Sequence, residues 1–288
     1  MTWRAGLFLK YFAFIVLLVS VGLVASGAIN LYFSYQQTRA SLVNLHREKA
    51  ATSALRIQQW ARNVESAMGL TRLTVAAPGQ SLADARRLDL LKLLRLEPAI
   101  TEVSHIDPPG REQLVVSRLR MDTTGSGTDY SAEPRFVQAR KGRTWFGPVY
   151  FRKETEPYMT IAMEATDRSV IAAEANLKFI WDDISRIRVG QDGYAYVVDG
   201  RGLLVAHPDI GRVLRKADLS ALPQVKTALA AGADAEFREV PGARNAEGEP
   251  VLAAFAPVEP LGWRVFVAGA PKAVFGPLYD AILRTALL

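Results

Sequence analysis

IRVGQDGYAYVVDGRGLLVAHPD, residues Ile187–Asp209, holds the pattern on which the reading of this chain rests. Its centre, Val197–Pro208, sets Asp199 and Gly202 as an Asp-x-x-Gly step between two β-rich runs. Aspartate and glycine supply turn chemistry between such runs, so the segment predicts a β-hairpin. Ser104–Ser117 (SHIDPPGREQLVVS) repeats the arrangement, with Asp107 and Gly110 between two apolar stretches. Further along, Phe146-Gly-Pro-Val149 is matched by Phe255-Ala-Pro-Val258. Each is followed by another apolar strand, Tyr158–Glu164 in the first case and Trp263–Ala268 in the second. The same order, hairpin then Phe-x-Pro-Val strand then strand, therefore occurs twice. Two small antiparallel α+β modules in tandem are the reading.

Between the modules, Val170–Arg188 predicts a strand ending near Asn176 and then a bridging helix with Ile180, Trp181, Ile184 and Ile187 on one face. Leu219–Ala235 predicts a helix inside the second module, and Pro241–Pro250 a mobile polar hairpin loop.

Toward the amino terminus, Tyr11–Phe33 is a run of 23 residues without a charge. At about 1.5 Å per residue it crosses a hydrocarbon core of about 30 Å. The apolar part of a cleaved signal peptide is shorter, so an anchor is expected. Arg4 and Lys10 place residues 1–10 in the cytoplasm, and aromatic residues stand at both ends of the span. Gly22 and Ser26 form a small-xxx-small pair suited to close helix approach in a homodimer. Residues 34–75 contain no proline and one glycine, Gly69, and carry apolar residues at helical spacing from Ile57 to Met68. A long stalk helix follows from this, with two shorter helices broken near Thr52 and Ser53 as the alternative. Residues 273–288 form an amphipathic stretch growing more apolar, expected to be a helix leading back into the membrane. The modules then occupy residues 76–185, distal to the membrane, and 186–272, proximal to it.

Composition narrows the function. The chain has 288 residues, 49% hydrophobic and 22% charged, with three histidines and no cysteine. Disulfide scaffolds, thiolate metal sites and cysteine nucleophiles are excluded. No Gly-rich phosphate loop, GxSxG elbow or paired-carboxylate motif is present, and no cofactor is implied. His207-Pro208 and Asp192-Gly193 read as a strand end and a turn. Nucleic acid is a poor partner for a weakly cationic segment outside a membrane.

The positive charge concentrates between residues 111 and 153, where Arg118, Arg120, Arg135, Arg140, Arg143 and Arg152 stand among few acids. A basic cleft for an anionic ligand is one reading, since guanidinium groups bind carboxylates in bidentate fashion. A solvated basic face, or contact with anionic headgroups, is the other. Arg143 stands two residues before Trp145, and strand alternation puts both on one face.

The whole pattern resembles the double Cache sensor domain of bacterial chemoreceptors, histidine kinases and nucleotide cyclases. The resemblance is carried by the span and long helix, Arg143–Phe151 (RTWFGPVYF), Glu156–Ala165 (EPYMTIAMEA) and above all Ile187–Asp209. It implies two PAS-like lobes on a stalk, a small molecule held in the distal lobe, and signalling to a cytoplasmic output domain. It also implies a bacterial inner-membrane location with most of the chain periplasmic. In amino-acid-binding members, an arginine on this strand binds the ligand carboxylate, a Trp-Tyr pair follows, and a distant aspartate binds the ammonium. Here Arg143, Trp145 and Phe146 occupy the first positions, Gln138 replaces an expected tyrosine, and Asn176 replaces the aspartate. That loss favours an organic acid over an amino acid. Tyr150, Tyr158 and Asn176 complete the expected ligand-binding wall. Two rival readings stay open, a membrane-anchored periplasmic enzyme and a protein-docking module without a small ligand.

Overall fold

A computed structural model describes residues 3–153, 156–189, 192–232 and 240–270. The expected helix at 273–288 lies outside the described residues, as does part of the segment after Gly232.

Helix α1 (Trp3–Gly69) is unbroken for 67 residues. Its interior lacks proline, so nothing interrupts the hydrogen-bond ladder at Thr52 and Ser53. It stops at Gly69, earlier than the stalk boundary expected at residue 75. The segment from Tyr11 to Phe33 is exposed and apolar, and α1 is long and apolar enough to cross a membrane.

Helix α2 (Leu82–Leu96) begins at Ser81, whose hydroxyl accepts the Asp84 N–H at 3.1 Å. The distal module follows with β1 (Ile100–Ile106), β2 (Glu112–Ser117), β3 (Thr123–Thr124), α3 (Pro134–Ala139), β4 (Trp145–Phe146), β5 (Tyr150–Arg152), β6 (Glu156–Glu164) and β7 (Val170–Asn176). Its antiparallel sheet runs β3-β2-β1-β7-β6-β4, with β5 also on β6. Helix α4 (Lys178–Arg186) bridges to the proximal module, and the Trp181 indole donates to the Val205 carbonyl there at 2.7 Å. That module comprises β8 (Arg188–Val189), β9 (Gly193–Val198), β10 (Leu204–Ala206), α5 (Ile210–Leu214), α6 (Pro223–Ala230), β11 (Leu252–Val258) and β12 (Trp263–Gly269). Its sheet runs β10-β9-β12-β11, with β8 on β9.

Both Asp-x-x-Gly steps form the turns that the spacing predicts. The Asp107 carboxylate accepts the Arg111 N–H at 2.7 Å, and Asp199 accepts those of Arg201 and Leu203 at 2.9 Å. Gly110 and Gly202 have φ of 99° and 88°, and a Cβ on either would lie 2.7 Å from a serine, Ser131 or Ser220. The Phe-x-Pro-Val repeat is less regular. Phe255–Val258 lies inside continuous β11, whereas Gly147–Val149 breaks the equivalent distal strand into β4 and β5.

The core runs along α1. His46, Ala50, Ala54, Ile57, Ala61, Val64 and Met68 are buried on one side, spaced by three or four residues. The small residues let β11 and β12 approach closely, and a Cβ at Gly269 would lie 3.4 Å from the His46 ring. One apolar cluster extends from these residues into both sheets, so the modules share a core along the stalk. A second cluster, with Ile106, Phe136, Ala162 and Ala172, lies on the opposite face of the distal sheet.

Two stability measurements follow. Phe266 is fully buried and stacked on Tyr196 at 5.0 Å, so Phe266→Ala should cost about 3–5 kcal/mol in chemical denaturation. Glu102 on β1 accepts two hydrogen bonds from Arg120, at 2.8 and 3.0 Å, and these hold its carboxyl below the ordinary value against the upward push of burial. A carboxyl depressed on folding adds stability above its unfolded pKa that is lost as pH falls through the folded one. In melts from about neutral pH down to about pH 3, Glu102→Gln should start lower and fall less steeply than the wild type, and parallel curves would refute the assignment.

Candidate functional site

Alternation along β6 divides its side chains. Met159, Ile161 and Met163 join the core beside the helices, while Tyr158, Thr160 and Ala162 face the other way. Register then assembles that second face. Thr160 pairs with Glu174, which in turn pairs with Glu102, so the three stand abreast across β6, β7 and β1. Tyr158 lies opposite Asn176 on one side and Tyr150 on the other. Trp145 pairs with Ala162, in the part of the face covered by Phe136 and Ala139 of α3. The face is therefore apolar under α3 and polar beside it.

Two carboxylates organise the polar half. Glu174 is 7% exposed, and its oxygens accept from the Thr160 hydroxyl at 3.0 and 3.1 Å, from Arg135 at 3.2 Å and from the Tyr150 hydroxyl. Burial, and then Glu174 itself, push the Tyr150 phenol up, so it stays a donor. The Arg135 guanidinium also lies 4.9 Å from the centre of the Tyr130 ring and pairs with Glu133 at 3.1 Å. Glu102, bound by Arg120, approaches Arg152 at 4.0 Å, and Arg152 sits 4.9 Å over the Tyr158 ring. Three guanidiniums and three carboxylates thus share one concentrated patch, each charge near an opposite one. Among the described residues, no group of His, Asp and Glu is placed to hold a metal ion.

Trp145, Tyr150, Tyr158 and Asn176 belong to this face. The Asn176 amide donates to the Tyr158 hydroxyl at 3.2 Å, and its carbonyl accepts the Lys178 N–H at 2.8 Å where α4 begins. Phe146 points the other way and packs against the helix-side core. Arg143 is a correction to the expected shared face with Trp145. It lies in a bend before β4, exposed, and lines a crevice of about 330 Å³ with Glu65, Arg72, Glu164 and Pro260. Alternation does not reach it because the strand starts at Trp145. Glu174, Glu102 and Thr160 went unrecognised in the sequence, where Arg135 stood out only as one of the basic residues between 111 and 153. The signal for Glu174 was available: it is a carboxylate inside the apolar run of β7, two residues before Asn176 and so on its face.

A profile of the Cache domain matches residues 34–278. Among solved structures, the ligand-binding domain of the Pseudomonas aeruginosa PAO1 amino acid chemoreceptor PctC, in complex with GABA, aligns with a TM-score of 0.56 at 20% identity, covering 79% of this chain and 99% of that one. The ligand-binding domain of the Campylobacter jejuni chemoreceptor Tlp3, in complex with L-norvaline, gives 0.58 at 13% identity, with 87% and 96% covered. The extracellular domain described as that of histidine kinase mmHK1S-Z3 gives 0.62 at 14% identity, with 85% and 98% covered. At these identities the structural likeness speaks for the fold, and the profile match over most of the chain speaks for the family. The chain belongs to the Cache domain family, as a double Cache sensor domain behind an N-terminal helix long and apolar enough to cross a membrane.

Proposed function

We propose that this chain is the extracytoplasmic ligand-sensing portion of a receptor in the bacterial inner membrane, and that its distal module binds a small carboxylate-bearing molecule. The observation that carries this reading is the buried Glu174 and its donors, beside Arg135 and Arg152. A ligand carboxylate entering this face takes Arg135 as its partner and draws it from Glu174. Glu174 keeps Tyr150 and Thr160 but loses its cation, and a buried carboxylate without a counter-charge is costly. A ligand ammonium supplies the missing charge. The face thus suits an amino-acid-like zwitterion better than an amine-free acid, which revises the expectation drawn from Asn176. Trp145, Tyr150, Tyr158 and Asn176 wall the site. GABA and L-norvaline, held by the PctC and Tlp3 domains, both pair an amine with a carboxylate.

Transmission follows from the shared core. Both modules pack on α1, so a ligand that binds one packing arrangement more tightly shifts the helix by that difference in affinity. Couplings of about 1–3 kcal/mol suffice for a graded signal. A homodimer paired through Gly22 and Ser26 gives the helix a partner to move against.

The test uses the full chain in nanodiscs, screened by thermal shift against the proteinogenic amino acids, GABA and their amine-free counterparts. At least one amine-bearing ligand should raise the melting temperature. Glu174→Gln should weaken that ligand by about tenfold or more in calorimetry, and Asn176→Asp should strengthen it. Equal affinity in wild type and Glu174→Gln would remove Glu174 from the site.

A further inference from the structure

The proximal module has a cavity of its own, about 290 Å³, between its sheet, α5 and the loop at 244–246. Tyr194 and Tyr196 alternate onto the face of β9 turned away from α1 and form one wall. That wall is held rigidly. Tyr196 stacks on Phe266 with rings 9° from parallel, and its hydroxyl accepts from Gln224 on α6 at 3.2 Å. The same Gln224 amide donates to the Arg244 carbonyl at 2.6 Å and accepts the Arg244 N–H at 3.2 Å, fixing the loop against the helix.

The polar groups of the cavity divide into committed and uncommitted. Arg212 is engaged by Asp209 at 3.3 Å and by Glu247, and the Arg244 guanidinium donates to the Gly248 carbonyl at 2.6 Å. Asp209 is also used, since it caps α5 by accepting the Gly211 N–H at 2.9 Å. Arg215 lines the cavity and meets no carboxylate among the described residues. His207 stands edge-on to Tyr194 with ring centres 5.2 Å apart. Its Nδ1 accepts the Asp209 N–H at 2.8 Å, which leaves the proton of the neutral ring on Nε2. Burial lowers the His207 pKa and favours that neutral form. Neither this N–H nor the Tyr194 hydroxyl has a hydrogen-bond partner among the described residues.

We propose that this cavity is a second ligand site, for a small amine-free carboxylate with a flat apolar body. The carboxylate seats on Arg215, with His207 Nε2–H and the Tyr194 hydroxyl as further donors. The body lies against the Tyr194 and Tyr196 rings, Leu204 and Leu222. No lining carboxylate is left for an ammonium, since Asp209 is already shared between α5 and Arg212. The volume lies just below the range of about 300–1,000 Å³ usual for small-molecule sites, which limits the ligand to roughly the size of a single substituted ring. This proposal stands apart from the distal reading, because it uses different residues and the opposite choice on the amine.

The probe is 4-fluorobenzoate, followed by fluorine NMR line broadening on the full chain in nanodiscs. Broadening is expected with the wild type at about 1 mM probe. Arg215 is exposed and outside the core, so Arg215→Ala should fold normally and weaken the probe by about tenfold or more. Tyr194→Phe keeps the ring and should weaken it by a few-fold. Absence of broadening with the wild type, or broadening that Arg215→Ala leaves unchanged, would overturn the proposal.

Discussion

The structure depends on one seam of contact, the side of α1 that runs from His46 to Met68. Its buried residues recur every three or four positions, and three of them, Ala50, Ala54 and Ala61, are small enough to admit strands at close range. The lower part of the seam takes β11 and β12, and the upper part reaches the core under the distal sheet. Because packed interiors resist small displacements, neither module can shift along the helix without disturbing the other. The outward side of α1 adds a link of its own, where Arg56 pairs with Asp183 of α4 at 3.1 Å.

The two sheets turn opposite faces to their candidate ligands and to the helix, and the faces differ in how charge is managed. On the distal face, Glu174 and Glu102 are held by Arg135 and Arg120 in a closed set of pairs. On the proposed reading such a set opens by exchange, with a ligand group taking the place of a protein group. In the proximal cavity, the carboxylates are spent on α5 and Arg212, and one arginine stands without a partner among the described residues. An arrangement of that kind accepts an anion directly. The two proposed sites therefore differ in chemistry within one architecture.

Much of the fold was legible in the chain. The apolar span and the long helix followed from periodicity and the absence of proline, and both hairpins followed from Asp-x-x-Gly, whose turn chemistry is local. Trp145, Tyr150, Tyr158 and Asn176, expected from the resemblance to wall a site, fall on one face of the distal sheet, where the register of β5, β6 and β7 brings the last three side by side. Arg143 does not join them, because β4 is two residues long and alternation presumes a strand, and Phe146, next to Trp145, is turned to the other face by that same alternation. The breaks on either side, a bend at Arg143 and an interruption at Gly147–Val149, redirect the chain. Gly147 also has no room for a side chain, since a Cβ there would lie 2.7 Å from the Trp145 ring.

The sequence by itself determined the elements and their order, because helix periodicity, turn residues and apolar length act between neighbours along the chain. Only the tertiary structure decided which charges meet. Arg135 and Glu174 lie 39 residues apart, and Tyr150 and Glu174 24 apart, and their pairing depends on the register of β6 on β7 and on where α3 crosses the sheet. Register is set by the packing of the whole face against α1 and α2, and no segment read alone contains it.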